Sequence, residues 1–267
     1  MPKLERSYHG GITCVKTTIN VLGNKMDVCS YFVDGLLIDT GPVRASKLFR
    51  KYFYKDVYID KVLLTHYHED HTGNAPFLQK QGIDIYANPI SIEMLKEKPT
   101  LPLYRRLFWG IREGFQAYEI PESFTVRSKK YEVIHTPSHS KDHICIYSPE
   151  EGVIFTGDVY IATRTKLFYK QENIYQTIRD IKTMLNYDFD TICCSHGGFV
   201  EDGKKALKEK MDFLEETIED ILELHKKGSS INEIDNVLYK NETRFISLIS
   251  CYEMSSRNIV ESVLYDN

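Results

Sequence analysis

Apolar positions recur with two periods along this chain, and the change between them divides it. Over the first 200 residues short β-rich runs alternate with turns. The pattern predicts strands at 12–19, 27–33, 36–39, 62–64, 83–87, 123–127, 131–135, 143–147, 153–155 and 191–194. Asp34-Gly35 forms the hairpin turn between the second and third of these. Helical character is expected at 43–54, 73–81, 91–97, 103–115 and 172–185. Residues 91–120 stand apart: Pro99 and Pro102 interrupt them, and Tyr104, Arg105, Arg106, Phe108, Trp109 and Phe115 crowd the second half. They read as an insertion covering part of the body. From Gly203 a helical period takes over, with Leu207, Met211, Leu214, Ile218, Ile221 and Leu222 on one face, followed by helical stretches at 231–239 and 245–263. The expected organisation is a catalytic domain at 1–202 with its insertion at about 91–120, then a helical segment at 203–267.

Composition narrows the classes. The 267 residues suit one large domain or one domain with an appendage. A formal charge of −4 gives no global basic signal, so nucleic acid and anionic membrane are not favoured partners. No apolar run approaches the length of a membrane helix, and the first six residues carry no apolar leader core. The six cysteines are scattered through apolar segments without a CxxC pair, which predicts buried free thiols and a cytoplasmic setting.

One stretch does not fit a packed core. His66-Tyr67-His68-Glu69-Asp70-His71 places three imidazoles and two carboxylates directly after the apolar run Val62-Leu63-Leu64. Imidazole and carboxylate are the common ligands of zinc and iron, so a divalent metal is the expected occupant. Three further candidates each follow a β-rich run: His139 in Thr136-Pro137-Ser138-His139-Ser140, Asp158 in Thr156-Gly157-Asp158, and His196 in Ser195-His196-Gly197. Ligands at successive strand ends would converge on one edge of the sheets. Blander readings go to the other histidines. His135 is expected to pack within its strand, and His9 and His225 to face solvent. Glu69 is also expected to face solvent.

With these residues in order, the chain resembles the metallo-β-lactamase superfamily over roughly 12–200. The match takes in Leu37-Ile38-Asp39-Thr40-Gly41, the HxHxDH stretch, the TPxHS turn, the TGD turn and the final SHG. The resemblance implies an α/β fold, a four-layer αββα sandwich of two mixed β-sheets, here with a helical C-terminal tail. It implies that His66, His68 and His139 bind one metal, that Asp70, His71 and His196 bind a second, and that Asp158 bridges them. The cofactors expected are two divalent ions, zinc first, with iron or manganese as alternatives. Asp39 and His143 are expected to orient ligands by hydrogen bonds. The tail is loosely similar to the winged-helix-like segment of the β-lactamase-like protein 2 group.

The implied activity is hydrolysis by a hydroxide shared between two metals, with Asp70 taking up a proton as well as holding metal. The absence of a GxSxG motif agrees, because no side-chain nucleophile is then needed. A small thioester or lactone is the leading substrate class. A ribonuclease or phosphodiesterase and a non-haem iron oxidoreductase of sulfur compounds are the alternatives. Tyr160, Arg164 and Lys166, on the loop after Asp158, are candidate substrate contacts. A small molecule is the expected partner, and the tail could also serve a homodimer.

Overall fold

A computed structural model describes residues 2–21, 23–239 and 244–265. The first sheet has seven strands in chain order: β1 (Lys3–His9), β2 (Ile12–Val21), β3 (Asn24–Val33), β4 (Leu36–Ile38), β5 (Lys61–Leu63), β6 (Asp84–Ala87) and β7 (Tyr118–Glu119). Antiparallel meanders join β1 to β4, and β4 to β7 run parallel. The parallel half needs crossovers, and these carry α1 (Ser46–Tyr52), α2 (Glu69–Thr72), α3 (Ala75–Lys80), α4 (Ile92–Lys96) and α5 (Leu103–Phe108). The second sheet comprises β8 (Ser123–Val126), β9 (Lys129–His135), β10 (Ile144–Ser148), β11 (Val153–Gly157), β13 (Thr191–Cys194) and β14 (Gly198–Val200). Between β11 and β13 lie a short strand β12 (Phe168–Tyr169) and helix α6 (Ile174–Met184). The chain ends with α7 (Gly203–Lys226), α8 (Ile231–Tyr239), α9 (Arg244–Ile249), β15 (Met254–Ser255) and α10 (Ser256–Tyr265).

Strand alternation builds the layers. In β4, Leu36 and Ile38 turn inward to meet Tyr131, Ile146 and Phe155 of the opposite sheet. Leu37 turns outward to join Phe49, Phe53 and Leu78 of the covering helices. On the other side, Ile134, Ile154 and Ile192 pack outward against Ile178, Ile181, Leu207, Leu214 and Val260. Two mixed sheets thus lie face to face with helices on both outer surfaces, the four-layer arrangement implied by the sequence.

Several elements differ from the sequence pattern, the short strands β7, β12 and β14 among them. The helix expected over 103–115 stops at Phe108, because Gly110 adopts φ +83° and Arg112 then donates to the carbonyls of Leu95, Glu97 and Glu113. One guanidinium takes the place of a helical ladder there. Strand β1 was not expected, because its residues are mostly polar and exposed; its pairing with all of Ile12–Thr18 makes it a strand. Within 245–263, β15 interrupts the helices by pairing with β12, Tyr169 opposite Met254.

Candidate metal centre

Five strand ends point to one edge. Asp39 follows β4, His66 and His68 follow β5, His139 follows β9, Asp158 follows β11 and His196 follows β13. The parallel pairs β4–β5 and β11–β13 force their C-terminal ends together, which is where loops of layered α/β proteins assemble sites. His66, His68, His139 and Asp158 form one group whose ligand atoms lie within 4.8 Å of one another, and Asp70, His71 and His196 form a second. All but His196 are buried.

Hydrogen bonds at the far ring nitrogens fix which atoms face inward. His139 Nδ1 donates to Glu172 at 2.6 Å, and His71 Nδ1 donates to Asp39 at 2.7 Å. His66 Nδ1 donates to Thr65 Oγ1, which itself donates to Asp39. His196 Nδ1 donates to the carbonyl of Asp27. In the neutral ring, each such bond leaves Nε2 as a lone pair. His66 Nε2 and His139 Nε2 then lie 3.0 and 3.1 Å from His68 Nδ1. In addition, buried His68 Nε2, His71 Nε2 and Asp158 Oδ1 have no hydrogen-bond partner among the described residues. With the rings neutral and Nε2 and Nδ1 turned toward one another, converging lone pairs repel, and a cation is the group that reverses the sign. The donor set fits one.

Asp158 stands between the two groups. Its Oδ2 lies 3.2 Å from His196 Nε2, 3.6 Å from His139 Nε2 and 3.9 Å from His66 Nε2, while Oδ1 lies 3.4 Å from His71 Nε2. Asp70 Oδ2 is 3.6 Å from His71 and 3.7 Å from His196. His143 holds Asp158 from behind: its Nε2 accepts the Asp158 N–H at 3.0 Å and its Nδ1 meets Thr136 Oγ1 at 2.8 Å. Gly157 makes that approach feasible. It adopts φ +49°, and a Cβ there would collide with the His143 ring.

Protonation follows the same geometry. Burial and neighbouring imidazoles hold His66 well below the ordinary histidine range, and burial and Arg105 do the same for His68. Burial opposes charge on His196 as well, but Asp158 and Asp70 outweigh it and push its pKa up to about 9. His71 is likewise raised by Asp158, Asp70 and Asp39 against burial. Below these raised values the imidazoles hold protons that compete with a cation, because ligation needs the neutral ring. Zinc titrated into weakly buffered protein at pH 7 should therefore release protons, and its apparent affinity should climb toward pH 9. Affinity that stays flat between pH 6 and 9 would contradict this charge balance.

Glu172 escaped sequence reading. It lies just ahead of α6 with no motif around it, yet it receives the His139 N–H and, through its other oxygen, the Tyr169 N–H. Glu172→Ala should lower metal affinity by about 10- to 100-fold, as is usual when a carboxylate orienting a ligand histidine is lost. Competition with a chromophoric chelator reads this directly, and wild-type affinity would remove Glu172 from the centre.

The structure departs from the sequence reading at several side chains. Glu69 is buried, not solvent-facing, and takes both branches of the Arg105 guanidinium at 2.5 and 2.7 Å. His135 is exposed rather than packed within its strand. His9 is only half-exposed, set against Phe199 and Thr191. Tyr160 is buried in the outer core with its hydroxyl on Thr163, and the Arg164 guanidinium lies 5.9 Å from the Phe213 ring. Lys166 is exposed. None of these three lines the 420 Å³ cavity beside His139 and Asp158. Thr165, Leu167 and Lys210 do. Lys210 is a buried cation from α7, donating to Ala162 O and Thr165 Oγ1, so it props the loop that follows Asp158.

Fold and site together define a four-layer αββα protein with a buried His/Asp centre able to hold metal. The family model of the metallo-beta-lactamase superfamily matches residues 27–196, and the chain belongs to that superfamily. It is 30% identical over 198 residues to the lactamase-like protein adaB of Aspergillus niger, covering 70% of this chain and 54% of that one. It is 29% identical over 187 residues to an atrochrysone carboxyl ACP thioesterase of Aspergillus fumigatus, covering 66% and 51%. The chain thus spans about half the length of the curated relatives it matches. Among solved structures, a metallo-beta-lactamase from Pontibacter korlensis superposes with TM-score 0.63 at 16% identity, over 80% of this chain and 99% of that one. A flavo di-iron protein variant from Thermotoga maritima gives 0.61 at 17%, over 86% and 71%. Among the described residues no helix is long and apolar enough to cross a membrane.

Proposed function

We propose that this chain is a dinuclear metal-dependent hydrolase of a small acyl substrate, a thioester before a lactone. The observation that carries the reading is the Asp158 carboxylate, placed between two His/Asp donor groups, 3.6 Å from His139 Nε2 of one and 3.4 Å from His71 Nε2 of the other. The thioesterase name of a relative that covers 66% of the chain favours the thioester over other acyl compounds. His66, His68 and His139 would hold one ion, Asp70, His71 and His196 the other, and Asp158 both. Zinc suits this set, and the same ligands accept iron or manganese. When bound, such a pair supplies Lewis acidity and an activated water.

The remaining chemistry falls to side chains. Asp70, beside His71 and His196 at the less buried end of the centre, takes the proton that water loses as its oxygen adds to the carbonyl carbon. The carbon–sulfur bond then breaks, the thiol leaves with a proton, and a carboxylic acid remains. The rings of His68 and His139 each lie 5.5 Å from that of Tyr169, which walls this side of the centre.

Purified protein should contain about two metal ions per chain and cleave N-acetylcysteamine thioesters. A parallel panel with a lactone, a chromogenic cephalosporin and bis-p-nitrophenyl phosphate separates the acyl reading from the phosphodiesterase one. Turnover of the phosphodiester alone would overturn it. Elemental analysis distinguishes zinc from iron in the same sample.

A further inference from the structure

An apolar groove of about 600 Å³ lies between the tip of the β2–β3 hairpin, α5 and α9, lined by Met26, Phe108, Phe245, Ile246, Ile249 and Met254. Its outer wall is conspicuously wet for such residues: Phe245 is 58% exposed and Ile246 44%. Contiguous exposed apolar surface of this kind marks a binding groove more often than a plain exterior.

Three connections tie the groove to the metal centre. Met26 directly precedes Asp27, whose carbonyl holds His196. Met254 lines both this groove and the cavity beside His139 and Asp158. Met254 also pairs across the short sheet with Tyr169, whose ring packs on His68 and His139. The far wall is braced by the same elements: Tyr104 of α5 donates to Glu253, and Glu253 accepts from Arg105, which holds Glu69 beside Asp70. The groove and the cavity beside the centre therefore share Met254 as a common wall. The groove's lining is apolar where the centre is charged.

We infer that this groove receives the apolar acyl or aryl body of the substrate while its carbonyl lies at the metal centre, so that α5, α9 and the β2–β3 tip set acyl-chain selectivity. The inference rests on the hydrolase reading above, and it assigns the insertion and the C-terminal segment a shared role. Both are needed, because α5 comes from one and α9 from the other.

Two measurements test it separately from that reading. In the first, kcat/KM is measured for acetyl, butyryl, hexanoyl and octanoyl thioesters of N-acetylcysteamine. It should climb about threefold per methylene until the groove is filled. Ile246→Asp should flatten the octanoyl-to-acetyl ratio by about tenfold, whereas Leu222→Asp, an exposed apolar site outside the groove lining, should keep the wild-type ratio. In the second, binding of the non-hydrolysable octyl thioether of N-acetylcysteamine is followed by tryptophan fluorescence. Trp109 is the single tryptophan, and its ring lies 5.9 Å from that of Phe108 in the groove wall.

Saturable quenching that Ile246→Asp weakens, with no turnover of any thioester, would sink the hydrolase reading and keep the groove. Turnover with no dependence on acyl length and no fluorescence change would do the reverse. A profile untouched by Ile246→Asp, together with loss of a dimer in sedimentation, would show that a second copy of the chain covers these residues, and the inference would fall.

Discussion

Asp158→Ala should cut thioester turnover by about 10³-fold or more, the scale seen when a residue acting as part of a catalytic unit is removed. It should also leave at most one tightly held ion per chain. The reason is positional. Among the described residues, Asp158 is the one carboxylate within 4 Å of imidazoles from both donor groups. Alanine removes the shared anion and leaves His66, His68 and His139 as a neutral triad, while Asp70, His71 and His196 lose their link to it. The variant also carries a signature independent of turnover. Asp158 is the largest electrostatic influence raising His196 and His71, so without it both titrate lower. Fewer protons then remain to be displaced at pH 7, and proton release on zinc loading should shrink. Asp158→Asn, which keeps the shape and loses the charge, should reproduce both effects. Wild-type metal content with wild-type turnover in either variant would remove Asp158 from the centre and with it the dinuclear proposal.

Much of this centre was legible because the chemistry is written in residues that have no other reason to be where they are. Three imidazoles after Val62-Leu63-Leu64 cannot serve a core, and His139, Asp158 and His196 each end a strand that the period-two pattern reveals. The structure brings all seven side chains to one edge. Side chains whose role comes from a distant partner were not legible. Glu69 looks like an ordinary acidic neighbour of Asp70 until α5 delivers Arg105 from 36 positions along the chain. Glu172 and Lys210 belong to no motif in the sequence, and only tertiary packing buries Lys210 and turns Glu172 onto His139. The path of the loop after Asp158 was equally hidden. Closeness in sequence to Asp158 makes Tyr160, Arg164 and Lys166 candidates, but the loop turns Tyr160 into the outer core and Arg164 onto α7. Strand β1 was missed because its exposed polar residues carry no hydrophobic signal, and pairing with β2 alone defines it.

The ion pair that the sequence hid should have the largest effect on stability. Arg105→Met strips Glu69 of the guanidinium that grips both its oxygens, and Glu69 is only 2% exposed. Breaking a buried pair from one side typically costs about 3–5 kcal/mol, because the surviving charge is stranded. In a chain of this size that corresponds to a fall of about 10 °C in the unfolding midpoint, read by circular dichroism. The pH dependence has a definite sign. Burial already raises the Glu69 pKa with Arg105 as the largest influence opposing it; the variant removes that opposition. An acid whose pKa is higher folded than unfolded destabilises the fold as pH rises through the folded value, and the penalty vanishes below the unfolded one. The deficit should therefore be full at pH 8 and shrink toward about pH 4–5, near the unfolded carboxyl pKa. Glu69→Met combined with Arg105→Met should recover most of the loss, since replacing both partners by apolar groups of similar volume is often close to neutral. Glu253, the other partner of Arg105, keeps its bond from Tyr104 and is a quarter exposed, so it is not stranded in the same way. If single and double variants melt together, the contact is an incidental one. If only the single variant falls, α5 is anchored to the metal-ligand helix by this pair, and the wall of the groove is held in place by the same side chains that border Asp70.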